Sequence, residues 1–488
     1  MRWKAVFLLS MLLLGVLGMG GDLPGWSTDG TTPYSSAIIV QNVSDTVAVV
    51  NVAYQKTSCD SATSDVQMTV PAGTAQTQYV NDAAATPWGA SAIVSSDVPI
   101  VATQNFLTSD PSGGTQWASH SGGVTAPSKT WYLAEGSTYD GFQSYIAVQN
   151  PNESPASVAI TYTQFDSPIN GPSMTVSPYG QSQVAIVDTL VDYSSIGVIV
   201  TADVPVISQM TTYWSGSAAS TSTMGAAAPA TTWYLAEGNT ASWSGFETWV
   251  TVQNPSPTTA HVQVQFIGDG VEQAGPTFSV PSMSHDTFNA ADSFPEHTHF
   301  ATVVTSDTPI VAVQSKRWDD EHGFDGTMGV TSPSSQWYFP VAQPHTGASS
   351  WIALQNVGDT STTVTVEYMP QGTAGSETVK LDPFGHEMIS LPDPGQSPGP
   401  IAVVVNSAQP ILAQQGSYWE TGSGTYQNTA FGIQNPSTIW YLPATPGQMS
   451  QLGPFGDSTV GGDRDGDGVP DDEDYCPDYP GTPGMNGC

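Results

Sequence analysis

Thr251-Val252-Gln253-Asn254 and, eight residues after its Asn, Val262-Gln263-Val264-Gln265-Phe266 form the stretch of sequence that decides the fold. In the second segment apolar and polar residues alternate, which gives one apolar and one polar face with the period of a β-strand. The segment Tyr145-Ile146-Ala147-Val148 is more continuously apolar, as in a strand that is covered on both sides. These patterns predict neighbouring strands of an antiparallel sheet.

The same stretch recurs along the chain. An apolar residue followed by Gln and Asn occurs at Val40-Gln41-Asn42, Val148-Gln149-Asn150, Val252-Gln253-Asn254 and Leu354-Gln355-Asn356. A second phrase begins at Trp131, Trp233, Trp337 and Trp440, at intervals of 102, 104 and 103 residues. Near-constant spacing indicates duplicated domains with a common core. We therefore interpret a feature present in every copy as scaffold, and we expect specific chemistry where a feature occurs once.

The predicted fold class is all-β, with four tandem immunoglobulin-like antiparallel β-sandwich repeats of about 100 residues and a short calcium-binding tail. Several short strand patterns per repeat, separated by turns rich in Gly, Pro, Ser and Asp, support this class, and no convincing helical period appears after the first residues. A propeller blade needs only about 40–50 residues, so each repeat is too long to be a single blade. We expect four sandwiches in a row.

The predicted domains are a signal peptide at 1–21, sandwich repeats at 22–130, 131–232, 233–336 and 337–445, and an acidic tail at 446–488. Trp26 is the candidate opening of the first repeat. The terminal Trp440-Tyr441-Leu442 phrase either starts a fifth repeat that does not develop or completes an edge of the fourth sandwich. Short linkers between the repeats predict that neighbours touch and that the array is semi-rigid.

The N-terminus predicts export from the cell, and the charge restricts the possible partners. Arg2 and Lys4 precede an apolar run from Ala5 to Leu17, which is typical of a secretory signal peptide and is short for a membrane span. No Cys follows it to accept a lipid, and no later stretch is apolar enough to cross a membrane. With 8 Lys+Arg against 43 Asp+Glu, the net charge of −35 argues against nucleic acid and anionic lipid as partners.

The tail carries the strongest chemical motif. Asp463-Arg464-Asp465-Gly466-Asp467-Gly468 has the D-x-D-x-D-G spacing of a calcium loop, in which a Gly provides the sharp turn. The predicted Ca²⁺ ligands are Asp463, Asp465, Asp467, the carbonyl of Val469, Asp471 and Asp474. Calcium takes six to eight oxygen ligands, so these positions suit one ion. A merely acidic tail is the alternative.

Two family resemblances follow from these motifs. The phrases from Trp131 and Trp233, each reading Trp-Tyr-Leu-Ala-Glu-Gly before Val-Gln-Asn-Pro, resemble tandem repeats of secreted and cell-surface bacterial proteins, to which no catalytic role is attached. Repeat 1 lacks the Leu-Ala-Glu-Gly portion, and repeat 4 has Phe339-Pro340-Val341-Ala342 in its place. That segment is therefore not required in every copy.

The tail from residue 463 to residue 488 resembles a bacterial thrombospondin type-3 repeat. The resemblance implies calcium at the ligands named above, Asp472 as a ligand to a neighbouring ion, and a Cys476–Cys488 disulfide in an exported chain. Such repeats usually occur in series, so the chain is either a single-repeat variant or part of a longer protein. Cys59 is then odd, and it either joins two chains in self-association or remains an inert thiol.

Several other side chains have both a functional and a structural interpretation. Glu135 and Glu237 occupy the same position in two repeats, which favours a structural or ligand-rim role over a glycosidase pair. His297 and His299 on one strand face are half of a metal site without a recognisable third ligand, so a surface pair is the favoured interpretation. His261 on a polar strand face needs no special role.

The acidic turn Asp319-Asp320-Glu321-His322, with Asp325 after it, is interpreted as a solvated loop rather than a cation site. The loop aromatics Tyr139, Trp243 and Trp318 are either glycan or protein contacts or core residues. The predicted function is a non-enzymatic extracellular structural or adhesive protein that acts as a stalk, surface or matrix component. The alternatives are a carbohydrate-binding protein with a specific site on one repeat, and the non-catalytic part of a longer secreted enzyme.

Overall fold

The computed structural model describes residues 34–55, 65–80, 90–109, 115–139, 141–164, 167–191, 193, 195–214, 219–268, 270–318, 323–341, 349–369, 375–391, 400–421 and 424–444. Strands make up 72% of the structure and helix 3%, in four antiparallel sheets that repeat about every 100 residues, which confirms the predicted all-β class. Among the described residues no helix has the length and apolar character needed to cross a membrane.

The strands form four seven-stranded groups. The first contains β1 (Tyr34–Asn42), β2 (Ala48–Gln55), β3 (Val66–Val70), β4 (Ala75–Tyr79), β5 (Ser91–Ser109) and β6 (Thr115–Gly122), and it is completed by β28 (Ser437–Leu442). The second contains β7 (Ser128–Gly136), β8 (Gln143–Gln149), β9 (Ala156–Thr163), β10 (Ile169–Val176), β11 (Gln181–Ala185), β12 (Ile196–Trp214) and β13 (Ala219–Met224). We call these groups repeats 1 and 2.

Repeat 3 contains β14 (Ala230–Asn239), β15 (Glu247–Asn254), β16 (Ala260–Gly268), β17 (Val271–Val280), β18 (Ser284–Asn289), β19 (Thr298–Trp318) and β20 (Gly323–Met328). Repeat 4 contains β21 (Ser334–Val341), β22 (Ser349–Gln355), β23 (Thr362–Met369), β24 (Gly375–Leu381), β25 (His386–Ser390), β26 (Ile401–Thr421) and β27 (Gly424–Phe431). Within the described residues, short 3₁₀ segments lie at Ile186–Asp188, Ser242–Ser244 and Ala290–Asp292.

Each repeat is a sandwich built around one long strand, as repeat 3 illustrates. The first half of β19 pairs with β14 and β16, and its second half pairs with β15 and β20. β17 adds to β16 and β18 adds to β15, so two four-stranded layers share β19. The core between the layers includes Val252 of β15 and Val264 and Phe266 of β16, the apolar faces that the sequence pattern predicts.

The recurring Trp anchors one layer to the long strand in every repeat. Its indole nitrogen donates a hydrogen bond to the carbonyl of the residue after the strand's Pro, in the pairs Trp131–Val206 (2.7 Å), Trp233–Ile310 (2.7 Å), Trp337–Ile411 (3.1 Å) and Trp440–Ile100 (2.9 Å). A buried indole needs such an acceptor for its N–H group. This shared bond explains why the Trp recurs in all four copies.

The recurring Asn holds a turn together within its own repeat. The Asn254 amide nitrogen donates to the carbonyls of Thr258 at 2.8 Å and Val280 at 3.0 Å, and its Oδ1 accepts from the backbone N–H of Ser256. Asn42 and Asn150 make the equivalent bonds, and Asn356 differs only in that its second bond goes to the Asp382 carbonyl, one residue further along. The interpretation of the shared Asn as scaffold is therefore confirmed.

The last strand belongs to the first repeat, so both predictions for the terminal Trp-Tyr phrase are wrong. β28 pairs with β5, with Trp440 opposite Val94 and Leu442 opposite Ala92, whereas repeat 4 has its own Trp-Tyr strand in β21. Without β28, one edge of β5 would expose unpaired backbone groups and the apolar core beneath them. Trp26, the predicted opening of repeat 1, lies outside the described residues.

The repeats also close on one another. Strands β6, β13, β20 and β27 contact one another in succession, and β27 contacts β6. The hydrogen bonds between neighbours are Ser119 Oγ to Ser222 Oγ (3.2 Å), Thr221 Oγ1 to the Gly326 carbonyl (3.0 Å), Thr327 Oγ1 to Thr429 Oγ1 (3.1 Å) and Gln415 Nε2 to His120 Nε2 (3.1 Å). The four sandwiches thus form a ring instead of the open row that we expected.

Candidate functional site

The Gln of the shared Gln-Asn phrase forms hydrogen bonds across boundaries between repeats. Gln253 Nε2 donates to Thr163 Oγ1 at 3.1 Å and to the Val198 carbonyl at 3.2 Å in the preceding repeat. Gln149 reaches Gln55 and the Ala92 carbonyl in the same way, and Gln41 reaches the Val403 carbonyl across the boundary of repeats 1 and 4. Gln355 instead contacts carbonyls of its own repeat. The shared Gln is therefore a connector between repeats in three of four copies.

The Leu-Ala-Glu-Gly phrase forms a β-bulge. In repeat 3, Leu235 pairs with Thr302 and Gly238 with Phe300, so two residues of β14 lie opposite a single residue of β19. The equivalent bulge occurs between β7 and β12 of repeat 2. In repeat 4, where the phrase is replaced, β21 pairs with β26 without an extra residue there. A bulge redirects a side chain, and here it turns the Glu of the phrase toward the next repeat.

Glu237 of this bulge meets two histidines at the boundary of repeats 3 and 4. Its Oε2 lies 3.3 Å from His299 Nδ1, and its Oε1 lies 3.0 Å from His386 Nε2. The two imidazole rings stack with centroids 4.7 Å apart and planes 12° apart. His386 begins β25 of repeat 4, whereas the other two residues belong to repeat 3, so the cluster exists only because the repeats pack together.

The cluster is buried on one side and open on the other. The exposed fraction of the side chain is 7% for Glu237, 14% for His386 and 39% for His299. Burial opposes ionisation of Glu237, but hydrogen bonds from His299 and His386 and their charges outweigh it and hold the pKa of Glu237 below its usual range. A carboxylate facing two imidazoles can accept hydrogen bonds from them or bind a cation together with them.

Two members of the cluster have left-handed backbone conformations. Glu237 has φ of 61° and His299 has φ of 55°. A left-handed residue other than Gly costs roughly 1–2 kcal/mol, so both conformations must be held by the surrounding structure. The left-handed φ at His299 also breaks the strand alternation, which is why the predicted pairing of His297 and His299 on one strand face is wrong. The His297 ring instead stacks on Phe294 at 3.6 Å.

A buried charge pair lies in the same part of the ring. Lys316 and Asp325 are each 4% exposed, and Lys316 interacts electrostatically with both Asp325 and Glu237. Burial raises the pKa of Asp325 to about 6, although Lys316 and a hydrogen bond from Thr429 of repeat 4 oppose that rise. The expectation of a solvated loop is therefore wrong for Asp325. Asp319, Asp320, Glu321 and His322 lie outside the described residues.

Glu135 is the counterpart of Glu237 one repeat earlier and has different partners. Its Oε1 accepts a hydrogen bond from Ser315 Oγ of repeat 3 at 3.0 Å. Burial raises the pKa of Glu135, and the charge of Arg317 and the bond from Ser315 oppose the rise. Both Glu residues thus contact the next repeat, but only Glu237 meets histidines. His261, as expected, is exposed, and its ring bonds locally to Ser279 Oγ at 3.0 Å.

The three loop aromatics separate into two groups. Tyr139 is 52% exposed and Trp243 is 77% exposed, and they lie in the β7–β8 and β14–β15 loops, which occupy equivalent places in their repeats. Trp318 is 4% exposed and packs beside Phe246 with ring centroids 5.5 Å apart. Trp318 is therefore a core residue, and only the other two remain candidate contact residues.

Sequence reasoning missed His386 and gave Glu237 only a structural or ligand-rim role. A signal for His386 exists in the strand register, because it faces Gln355, a copy of the shared Gln. The residue opposite the shared Gln also reaches a neighbour in repeat 3, where His285 Nδ1 lies 2.8 Å from the Thr163 carbonyl of repeat 2. Aligning the repeats by this pairing would have marked position 386 as a boundary residue.

The other predicted features lie outside the described residues and stay predictions. They are the signal peptide at 1–21, Cys59, the calcium ligands Asp463, Asp465, Asp467, Val469, Asp471 and Asp474, and the cysteines Cys476 and Cys488.

No family model matches the chain, and no curated protein matches it. Among solved structures, it is similar to Thermotoga maritima 1070, with 17% identity and a TM-score of 0.18 over 20% of this chain and 94% of that one. The Anabaena sensory rhodopsin transducer has 21% identity and a TM-score of 0.16 over 18% and 98%. A tetra-tandem repeat from the extending region of a large adhesion protein has 10% identity and a TM-score of 0.11 over 84% and 98%. Scores this low say nothing about function.

Proposed function

We propose that the protein is a non-enzymatic extracellular structural or adhesive component, in which four β-sandwiches form a rigid head. The observation that carries this proposal is that the hydrogen bonds of the recurring residues hold the repeats together, within each sandwich and between sandwiches. The recurring Trp and Asn hold each sandwich together, and the recurring Gln joins sandwiches across three boundaries. Ring closure through β28 adds a fixed relation between the first and the last repeat.

The two ends of the described part of the chain suit a head mounted on a tail. In repeat 2, a short loop joins the end of β7 to the start of β8, and in repeat 1 the equivalent places are the end of β28 and the start of β1. The chain thus enters and leaves the ring at the equivalent of a single loop. The predicted calcium tail would begin at that loop, and the predicted signal peptide would place both parts outside the cell.

The exposed loop aromatics are the candidate contact surface. Trp and Tyr dominate binding hot spots because they offer a large rigid apolar area with a polar edge. Trp243 and Tyr139 present such surfaces in equivalent loops of neighbouring repeats. Two weak contacts on one rigid body gain avidity when the partner is itself repetitive, as a polysaccharide or a cell surface is.

The test is a binding screen of the purified chain against glycan and extracellular-protein arrays, followed by variants. We expect binding that Trp243→Ala and Tyr139→Ala each weaken. Tyr179→Ala is the matched control, because Tyr179 is 50% exposed in a different turn. Binding that only Trp243→Ala removes would favour the alternative of a carbohydrate site on repeat 3. Turnover of a bound glycan, or no binding to any array, would overturn the proposal.

A further inference from the structure

We propose that Glu237, His299 and His386 bind a divalent transition-metal ion, best matched by Zn²⁺, at the boundary of repeats 3 and 4. Two imidazole nitrogens and one carboxylate are a common zinc ligand set, whereas Ca²⁺ and Mg²⁺ prefer oxygen ligands alone. This site differs in place and in chemistry from the calcium loop predicted for the tail. It also does not depend on the proposed adhesive function.

The candidate ligand atoms lie close to the separations that a metal ion requires. A carboxylate oxygen lies 3.3 Å from His299 Nδ1 and the other lies 3.0 Å from His386 Nε2, and the three ligand atoms lie within 4.8 Å of one another. Zinc bonds of about 2.0–2.1 Å in a tetrahedron place neighbouring ligand atoms roughly 3.4 Å apart. Small side-chain shifts would therefore let an ion lie between the carboxylate and the two imidazole nitrogens.

The backbone and the burial support a ligand at this place independently. Glu237 and His299 both have left-handed φ values, and such costly conformations concentrate where a structure positions ligand-binding groups. Glu237 and His386 are largely buried, so they are held in place, whereas His299 is 39% exposed and opens the cluster to solvent. Solvent access on that side provides a route for the ion and a water molecule for the fourth position.

One neighbouring charge opposes the ion. Lys316 interacts electrostatically with Glu237, and a cation there reduces the attraction of the carboxylate for a metal. Asp325 partly offsets this effect because it interacts with the same ammonium group. We therefore expect Lys316→Met to bind the ion more tightly than the wild-type chain does. A fold check by circular dichroism accompanies this variant, because the substitution removes the positive charge beside the buried Asp325.

The test uses the full chain stripped with a chelator and kept in excess calcium, so that oxygen-rich sites are filled before titration with Co²⁺ and Zn²⁺. We expect one equivalent of Co²⁺ with the strong visible absorption of a tetrahedral site, its displacement by Zn²⁺, and a higher unfolding temperature with Zn²⁺. His299→Ala is the main variant, because its side chain is the most exposed of the three and the fold should survive. Glu237→Gln is the second variant, and it keeps the shape of the side chain.

Each of these two variants should weaken Zn²⁺ binding by more than the roughly 10–100-fold that loss of an outer-shell partner costs. His261→Ala is the matched control, since His261 is an exposed histidine of the same repeat with a local hydrogen bond. Absence of the tetrahedral cobalt absorption would overturn the assignment. Equal Zn²⁺ affinity in wild type, His299→Ala and Glu237→Gln would also overturn it.

Discussion

The indole nitrogen of Trp440 donates a hydrogen bond to the carbonyl oxygen of Ile100, 340 positions earlier in the chain, at 2.9 Å. In the other three repeats the equivalent bond spans between 74 and 77 positions, because both partners come from one contiguous segment. The same two atoms form the bond in all four repeats, and only the number of residues between the two partners differs. Repeat 1 is therefore an ordinary repeat whose first strand is supplied by the far end of the described chain.

Removal of the closing strand should open the ring. A chain that ends at residue 436 loses the buried Trp440 and Leu442 and exposes an edge of β5, whereas a chain that ends at residue 445 keeps them. Truncating a buried Trp alone costs about 3–5 kcal/mol. We expect the shorter chain to unfold at lower urea concentration and to elute as a larger particle in gel filtration. Identical unfolding curves for the two chains would contradict the ring closure.

The shared Gln should matter where it joins repeats and matter less where it does not. Gln253→Leu removes two hydrogen bonds to repeat 2, and the partners left unsatisfied cost about 1–3 kcal/mol of unfolding free energy. Gln355→Leu is the matched control, because the Gln355 amide donates only to carbonyls of its own repeat. Urea unfolding of both variants provides the comparison. A loss for Gln355→Leu as large as that for Gln253→Leu would argue against the connector role.

Acid should weaken the boundary between repeats 2 and 3. Burial, opposed by the hydrogen bond with the Thr163 carbonyl, lowers the pKa of His285 from 6.5 to about 4. Below pH 6.5 the unfolded chain therefore binds more protons than the folded chain, so stability falls as the pH falls and the loss is complete near pH 4. At about 1.4 kcal/mol per pKa unit, protonation of His285 lowers the free energy of unfolding by roughly 3 kcal/mol.

His285→Asn isolates this effect, because an Asn amide can donate to the Thr163 carbonyl and does not titrate. We expect the stability difference between wild type and variant to shift by roughly 3 kcal/mol between neutral pH and about pH 4, in favour of the variant at low pH. Urea unfolding at the two pH values measures it. A difference that does not change with pH would show that His285 is not the titrating group.

One turn position should gain stability from glycine. The turn between β3 and β4 of repeat 1 contains Gly73 with φ of 66°, and Tyr179 occupies the equivalent place between β10 and β11 of repeat 2 with φ of 51°. Glycine adopts a left-handed conformation without strain, but it loses more backbone entropy on folding than tyrosine does. The balance of these two effects predicts that Tyr179→Gly raises the free energy of unfolding by about 0.5–1 kcal/mol. Gly73→Ala should destabilise it by a similar amount. Thermal unfolding of both variants tests the pair, and a loss of stability in Tyr179→Gly would refute the strain argument.

The strands and the scaffold residues could be predicted from the sequence because both depend on local pattern. Alternation of apolar residues places Val262, Val264 and Phe266 on one face, and that face forms the core. The partner of the last Trp-Tyr strand could not be predicted in this way, because the same phrase fits the start of a fifth repeat. The order of the phrases contained a hint, since the chain's first Gln-Asn phrase lacks a full Trp-Tyr phrase before it.

The candidate site could be predicted from the sequence only in part, for a different reason. Strand periodicity places His297 and His299 together, but a left-handed residue at 299 separates them. The approach of His386 to Glu237 depends on how repeat 4 sits against repeat 3, which no periodic pattern within a repeat encodes. A bulge and an interface therefore decide the site, and both are properties of the assembled ring.

The pairing of β28 with β5 determines the order in which the repeats can fold during synthesis. As the chain is made from its N-terminus, repeats 2, 3 and 4 can each be completed from contiguous sequence as soon as their strands have emerged. Repeat 1, although it is made first, has to wait for residues 437–442 before the edge of β5 is covered. A product that stops short of those residues displays an open sheet edge, which is a template for aggregation and a target for proteases. Repeat 1 can therefore complete its fold only after the whole ring has been synthesised.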